Sequence, residues 1–150
     1  MGTKNMKPVF SLREKLNGDP KYVAAVQAAT LGKRSLPGGL KGVYGLFGSD
    51  KWWKSIADGI APVTRFQGII TKVSFEGMHN EGRGFEMKMP DGSSYSYSCV
   101  ANRKEDRKRY VVGKKIEVIY VTEPLKNPVP VSDGSYQTQA ATVLEISLED

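Results

Sequence analysis

The chain has 150 residues, a hydrophobic content of 39%, a charged content of 25% and a formal net charge of +6. These values exclude a disordered chain and indicate one ordinary soluble domain, or a small domain with an appended segment. No apolar run approaches the roughly 20 residues of a membrane-spanning helix, and we expect no secretory signal. Because the single cysteine, Cys99, cannot form an internal disulfide, we expect a cytoplasmic setting.

The basic excess belongs to the N-terminal part of the chain. Residues 1–60 contain ten Lys or Arg against four acids, a net charge of +6, whereas residues 61–150 contain twelve of each and are neutral. This asymmetry is typical of a protein with a polyanionic partner. Scattered surface lysines that maintain solubility produce the same pattern.

The N-terminal part is predicted to consist of short helices separated by a glycine-rich loop. Asp19 can cap a helix whose first residue is Pro20, and the alanine-rich run that follows predicts a helix over 20–31. Gly32 would end this helix in a left-handed conformation. The segment GKRSLPGGLKGVYGLFGS then predicts a long loop packed by its own apolar side chains.

The two tryptophans, Trp52 and Trp53, are adjacent in a second predicted helix, which Ser49 can cap. Neighbouring residues of a helix point about 100° apart, so one apolar face cannot easily bury both rings. The spacing i, i+3, i+4 places Trp53 with Ile56 and Ala57. We therefore expect Trp53 in the core, with Trp52 either sealing the loop beside it or exposed as a binding residue.

From Thr64 the periodicity changes to alternation. The stretch FQGIITKVSF predicts a strand with Ile69, Val73 and Phe75 on one side and other apolar residues opposite. The alternating runs FEMKM and SSYSYSCV predict a hairpin around Pro90-Asp91-Gly92. Their alternation predicts one buried face and one solvent-exposed face.

The C-terminal third of the chain continues with further predicted elements. Asn102 and Glu105 have the spacing of a capping box, which predicts a short helix. A strand is predicted next, from KKIEVIYV. The segment EPLKNPVPVSDGSY must then be a loop or an edge, and a final strand is predicted over about 137–148.

This order of elements resembles the OB-fold, a five-stranded, partly open barrel that often carries a helix between its third and fourth strands. The resemblance covers residues 64–148 and is one of architecture. It implies an α+β protein in which N-terminal short helices and the glycine-rich loop, residues 1–63, pack on a five-stranded antiparallel OB-like β-barrel, residues 64–150. SH3-like barrels and β-sandwich fragments share much of the pattern.

The sequence offers little catalytic or metal-binding chemistry. The single histidine, His79, has Glu81 nearby, but a metal site needs three or four ligands. Cys99 continues the alternating row of Tyr95 and Tyr97, so we expect a buried structural thiol rather than a nucleophile. The glycine-rich loop lacks the spacing of a phosphate-binding motif. We therefore predict no enzyme, no metal and no cofactor.

The OB resemblance and the net charge together favour a non-catalytic, sequence-tolerant nucleic-acid-binding protein that prefers single strands. The aromatic residues of the predicted hairpin strands share faces with methionines and Cys99, so we expect them inside the barrel. Tyr44 and Trp52 are then the candidates to stack on bases. The candidate binding residues are Lys33, Arg34, Lys41, Tyr44, Trp52, Arg83, Lys88, Arg103, Lys104, Arg107, Lys108 and Arg109.

The alternative hypothesis is a protein–protein interaction module or a structural subunit of a larger assembly. The barrel would be rigid, and the glycine-rich region with the tryptophans would dock on a protein partner or on a second copy of the chain. Tryptophan and tyrosine are enriched at such interfaces because they bury a large area and keep a polar edge. We expect no membrane partner.

Overall fold

The structure is a computed structural model that describes residues 6–32, 39–76 and 82–150. Within these residues, the helices are α1 (Leu12–Asn17), α2 (Pro20–Leu31) and α3 (Asp50–Ala57), with a 3₁₀ helix at Lys104–Arg109. The strands are β1 (Met6–Ser11), β2 (Val63–Glu76), β3 (Gly82–Lys88), β4 (Ser94–Ser98), β5 (Lys115–Pro130) and β6 (Tyr136–Glu149). No helix in the described ranges is long and apolar enough to span a bilayer.

The six strands belong to one sheet in the order β1-β6-β5-β2-β3-β4. The pairs β1–β6, β2–β3 and β3–β4 are antiparallel. The predicted α+β class with antiparallel strands is confirmed. The predicted number of five strands is wrong, because residues near the N-terminus form the additional strand β1 beside β6.

The residues group into two compact units. The first, here called the sheet unit, comprises the described parts of Met1–Leu12, Arg65–Ile119 and Leu144–Asp150. Its largest fully buried side chains are Tyr110, Ile70, Met87, Ile116, Ile146, Leu148 and Val118. The second, here called the helical unit, comprises Arg13–Thr64 and Tyr120–Val143 and buries Trp52, Glu123 and Val121 most completely.

Helix α2 covers the predicted residues, and its start follows the predicted chemistry. The side chain of Asp19 accepts a hydrogen bond from the backbone N–H of Tyr22, and Pro20 opens the helix. The end of the helix differs from the prediction, since Gly32 is extended rather than left-handed. The ammonium of Lys126 instead donates to the carbonyl groups of Thr30 and Gly32, so the last turn is capped by a cation from β5.

Strand β2 contains an irregularity that changes the predicted faces. The register pairs Ile70 with Met87 and Val73 with Phe85, with a shift between Ile70 and Lys72. One extra residue in a strand reverses the alternation beyond it. Ile70, Val73 and Phe75 therefore share one face, and the predicted grouping of Ile69 with Val73 is wrong.

The proline-rich segment from Glu123, predicted as a loop or an edge, is strand as far as Pro130, and only residues 131–135 form a turn. β5 continues to Pro130, and Leu40 forms an isolated antiparallel bridge with Leu125. The carbonyl group of Pro124 accepts from the backbone N–H of Lys41, and Lys126 donates its N–H to Gly39. Proline lacks a donor but keeps its acceptor, so pairing through Pro124 costs no hydrogen bond.

The short helix predicted after β4 is present as the 3₁₀ helix, but the predicted capping box is wrong. Arg103 occupies the N-cap position and makes no side-chain cap bond. Asn102 binds β1 instead: its Oδ1 accepts from the N–H of Ser11 at 2.6 Å and its Nδ2 donates to the Ser11 carbonyl at 3.0 Å.

Candidate functional site

Trp52 is a core residue of the helical unit, with an exposed fraction of 0%. Its ring centroid lies 5.0 Å from that of Phe47 and 4.8 Å from that of Trp53. Trp53 is half-buried, and the guanidinium of Arg13 lies 4.2 Å from its ring centroid. The expectation that Trp53 is the core residue is therefore wrong. Of the two alternatives for Trp52, the structure shows the buried one, so Trp52 cannot stack on an external ligand.

Glu123 is the polar partner that allows the indole of Trp52 to be buried. Trp52 Nε1 donates to Glu123 Oε2 at 3.0 Å, and the carboxyl is only 1% exposed. Within the described residues, its Oε1 has no hydrogen-bond partner. Burial raises the pKa of Glu123, and the bond from Trp52 opposes this more weakly. The pair holds α3 against β5 and is not part of a surface site.

The remaining predicted binding residues do not form one set. Lys33 and Arg34 lie outside the described residues. In the helical unit, Lys41 is exposed, and Tyr44 is half-buried with its carbonyl accepting from Ser55 Oγ at 2.9 Å. The sheet unit contains all the others: Arg83, Lys88, Arg103, Lys104, Arg107, Lys108 and Arg109.

An aromatic patch, defined here as Phe75, Arg83 and Tyr97, occupies one end of a face of β2, β3 and β4. Phe75 pairs with Arg83, and Tyr97 pairs with Phe85 two residues further along β3. Directly paired residues project from the same face, so the three side chains share it. Phe75 is 63% exposed and Tyr97 is 39% exposed.

The patch continues a buried core. Along the same face, Met87 and Phe85 are buried, and Tyr110 stacks on Phe85 with a centroid distance of 5.3 Å. The guanidinium of Arg83 lies 5.5 Å from the ring centroid of Phe75. The exposed residues Phe75 and Tyr97 therefore lie at the end of a face on which Phe85 and Met87 are buried.

Catalytic or metal chemistry has little support among the described residues. Cys99 is a buried thiol, as predicted. Glu117 accepts from Arg65 at 3.1 Å and from Gln67 at 2.6 Å, so its carboxylate already has partners. The described ranges contain no group of three or more His, Cys, Asp or Glu that could hold a metal ion. His79 lies outside them.

The helical unit has a second exposed apolar surface. None of the twelve residues of α2 is buried. A cleft of about 350 Å³ beside it is lined in part by Leu16, Val23 and Trp53. Its largest ring, Trp53, is already covered on one face by Arg13. Three of the seven exposed residues of α2 are alanines, which offer little area for contact, and its one exposed aromatic residue is Tyr22. The aromatic patch, with two exposed rings and a guanidinium beside one of them, is therefore the stronger candidate.

The chain was compared with models of known protein families. The family model described as Immunity protein RhsI2 matches residues 6–149, which is almost the whole chain. The chain belongs to the RhsI2 immunity protein family. No curated protein matches it.

Membership of the RhsI2 family overturns the leading sequence-based hypothesis. An immunity protein family indicates interaction with a protein, so the prediction of nucleic-acid binding by the basic residues, Tyr44 and Trp52 is wrong. The alternative, a protein–protein interaction module, agrees better with the family. A resemblance of architecture does not establish a function, because one architecture carries many functions.

The exposed position of Phe75 was not predicted from the sequence. Simple alternation grouped it with Ile69, and no residue type in β2 marks the irregularity that reverses the faces. The exposed position of Phe75 follows from its pairing with Arg83 at the end of the sheet face. Only the strand register reveals it.

Proposed function

We propose that this chain is a non-catalytic inhibitor that binds a protein toxin and thereby neutralises it. The observation that supports this function is the match of the RhsI2 immunity family over residues 6–149. The partner is a protein, and the aromatic patch is its docking surface. Inhibition follows from occupancy, so no catalytic group, metal or cofactor takes part.

The composition and exposure of the aromatic patch support this choice of surface. Tyr and Arg are the residue types most enriched among interface hot spots, and Phe is enriched in interface cores. Phe75 exposes most of its ring, so the partner can remove a large apolar area from water. The guanidinium of Arg83 beside this ring can donate to carbonyl or carboxylate groups of the partner.

A genetic selection tests the function itself. Genomic fragments from the source organism are expressed in a laboratory bacterium, with and without this chain. We expect a fragment that arrests growth alone and is tolerated when the chain is present, because binding blocks the toxin. The encoded toxin domain should then co-purify with the chain. The absence of any such fragment, or rescue without binding, would contradict the proposal.

Substitution tests the docking surface. The double variant Phe75→Ala, Tyr97→Ala should weaken binding of the recovered toxin domain by about 100-fold or more, since a hot-spot truncation costs about 2 kcal/mol or more. Tyr136→Ala is the matched control, because Tyr136 is 64% exposed and belongs to the other unit. Isothermal titration calorimetry gives both affinities. Equal losses in the variant and the control would exclude the aromatic patch.

A further inference from the structure

The segment Arg103–Arg109, here called the basic turn, concentrates positive charge in the sheet unit. Five of its seven residues are Lys or Arg. Arg109 is paired with Asp106 at 3.7 Å and with Asp150 at 3.3 Å. Arg103, Lys104, Arg107 and Lys108 are all exposed, and none forms an ion pair with another described residue.

The basic turn is held at both ends by buried or bonded groups. Before it, Asn102 forms two side-chain bonds with Ser11, and its backbone N–H donates to the carbonyl of Val9 at 3.0 Å. After it, Tyr110 is 1% exposed, and its hydroxyl donates to the carbonyl of Val100 at 2.5 Å. The cations are thus presented from a fixed backbone and not from a loose tail.

The same anchors connect the basic turn to the aromatic patch. Tyr110, which follows the turn, stacks on Phe85, and Phe85 pairs with Tyr97 of the patch. Cys99, at the start of the connection to the turn, donates its N–H to the carbonyl of Arg83. The charged and the aromatic residues therefore belong to one continuous, hydrogen-bonded piece of the sheet unit.

We propose that the basic turn is the electrostatic part of the toxin-binding surface, an inference that rests on the proposed function. The toxin then presents an acidic surface to the basic turn. A fixed cluster of four exposed cations attracts a surface of opposite charge and accelerates the encounter. Residues that act in this way change the association rate more than the dissociation rate. The aromatic patch then supplies the short-range contacts.

Charge reversal tests the proposal on the full-length chain. The triple variant Lys104→Glu, Arg107→Glu, Lys108→Glu is compared with a control triple variant at Lys21, Lys41 and Lys51, which are exposed residues of the helical unit. Both variants change the net charge equally. Stopped-flow measurement of association with the toxin domain recovered by the selection, at 50 and 500 mM salt, gives the rates.

We expect the association rate of the wild type to fall by about tenfold or more with salt. In the basic-turn variant the rate at 50 mM salt should fall by about 10- to 100-fold, with a weaker dependence on salt and little change in the dissociation rate. The control variant should stay within about threefold of the wild type. Circular dichroism checks that both variants are folded.

The results separate this proposal from the proposed function. A basic-turn variant that associates as fast as the control, with the same salt dependence, overturns the acidic-partner proposal and leaves toxin binding intact. Failure of the wild type to bind the toxin domain at either salt concentration overturns the proposed function itself.

Discussion

At the scale of single residues, Trp52 and Trp53 show how adjacent rings can have different roles. Trp52 is buried because the carboxyl of Glu123 satisfies its indole N–H, while Trp53 remains half-buried beneath Arg13. Periodicity placed Trp53 in the core, since it shares a face with Ile56. That Trp52 is the buried ring depends on its bond to Glu123, which is 71 positions away in the chain, so no local pattern reveals it.

The protonation of Glu123 leads to a prediction on stability. Burial raises the folded-state pKa of Glu123 above its ordinary value of 4.5. The folded state then binds more protons than the unfolded state, so this group destabilises the protein as pH rises from 4.5 through the raised pKa. Glu123→Gln keeps an oxygen that can accept from Trp52 and removes the charge.

We therefore expect the free energy of unfolding of Glu123→Gln, relative to the wild type, to increase as pH rises from 4.5. Urea unfolding at a series of pH values measures this difference. Glu145→Gln, at a half-buried glutamate, controls for the Glu-to-Gln change itself. A difference for Glu123→Gln that stays constant with pH would show that the buried carboxyl does not titrate as inferred.

At the scale of elements, strand β2 illustrates the limit of pattern reading. Its β character and the following hairpin were predicted from alternation and from the turn at Pro90-Asp91-Gly92. The register shift between Ile70 and Lys72 was not, because the pairing of two strands decides it. This shift turns Phe75 onto the face of the aromatic patch.

Gly68 provides a test of close packing at the same element. A Cβ atom at Gly68 would lie 2.3 Å from the carbonyl oxygen of Lys88, so the two backbones must move apart. We expect Gly68→Ala to lower the free energy of unfolding by about 1–3 kcal/mol. Gly18→Ala is the control, since a Cβ atom there would lie 3.7 Å from the carbonyl oxygen of Lys15, an ordinary van der Waals distance. Chemical denaturation measures both, and equal effects would contradict the argument.

At the scale of the whole molecule, the proposed function assigns toxin binding to the sheet unit. Hydrogen exchange followed by mass spectrometry can locate the contact without substitutions. We expect the toxin domain to slow exchange in β3, in β4 and in the basic turn, because a bound partner suppresses local opening. Exchange in α2 should stay unchanged. Protection confined to α2 would instead place the interface on the helical unit.

The sequence by itself determined the local chemistry of this protein. The caps at Asp19 and Ser49, the hairpin turn, the buried Cys99 and the α+β class follow from residue types and short-range periodicity. These features depend on interactions between residues close in the chain. The net charge and the architectural resemblance also favoured a binding protein, but with the wrong kind of partner.

Only the tertiary structure decided which tryptophan is buried, which way Phe75 faces and how the proline-rich strand pairs. Each depends on groups far apart in the chain: Glu123 for Trp52, Arg83 and Phe85 for the aromatic patch, and Gly39 to Lys41 for β5. Strand register and side-chain partners are properties of two segments together, so one segment's sequence does not contain them.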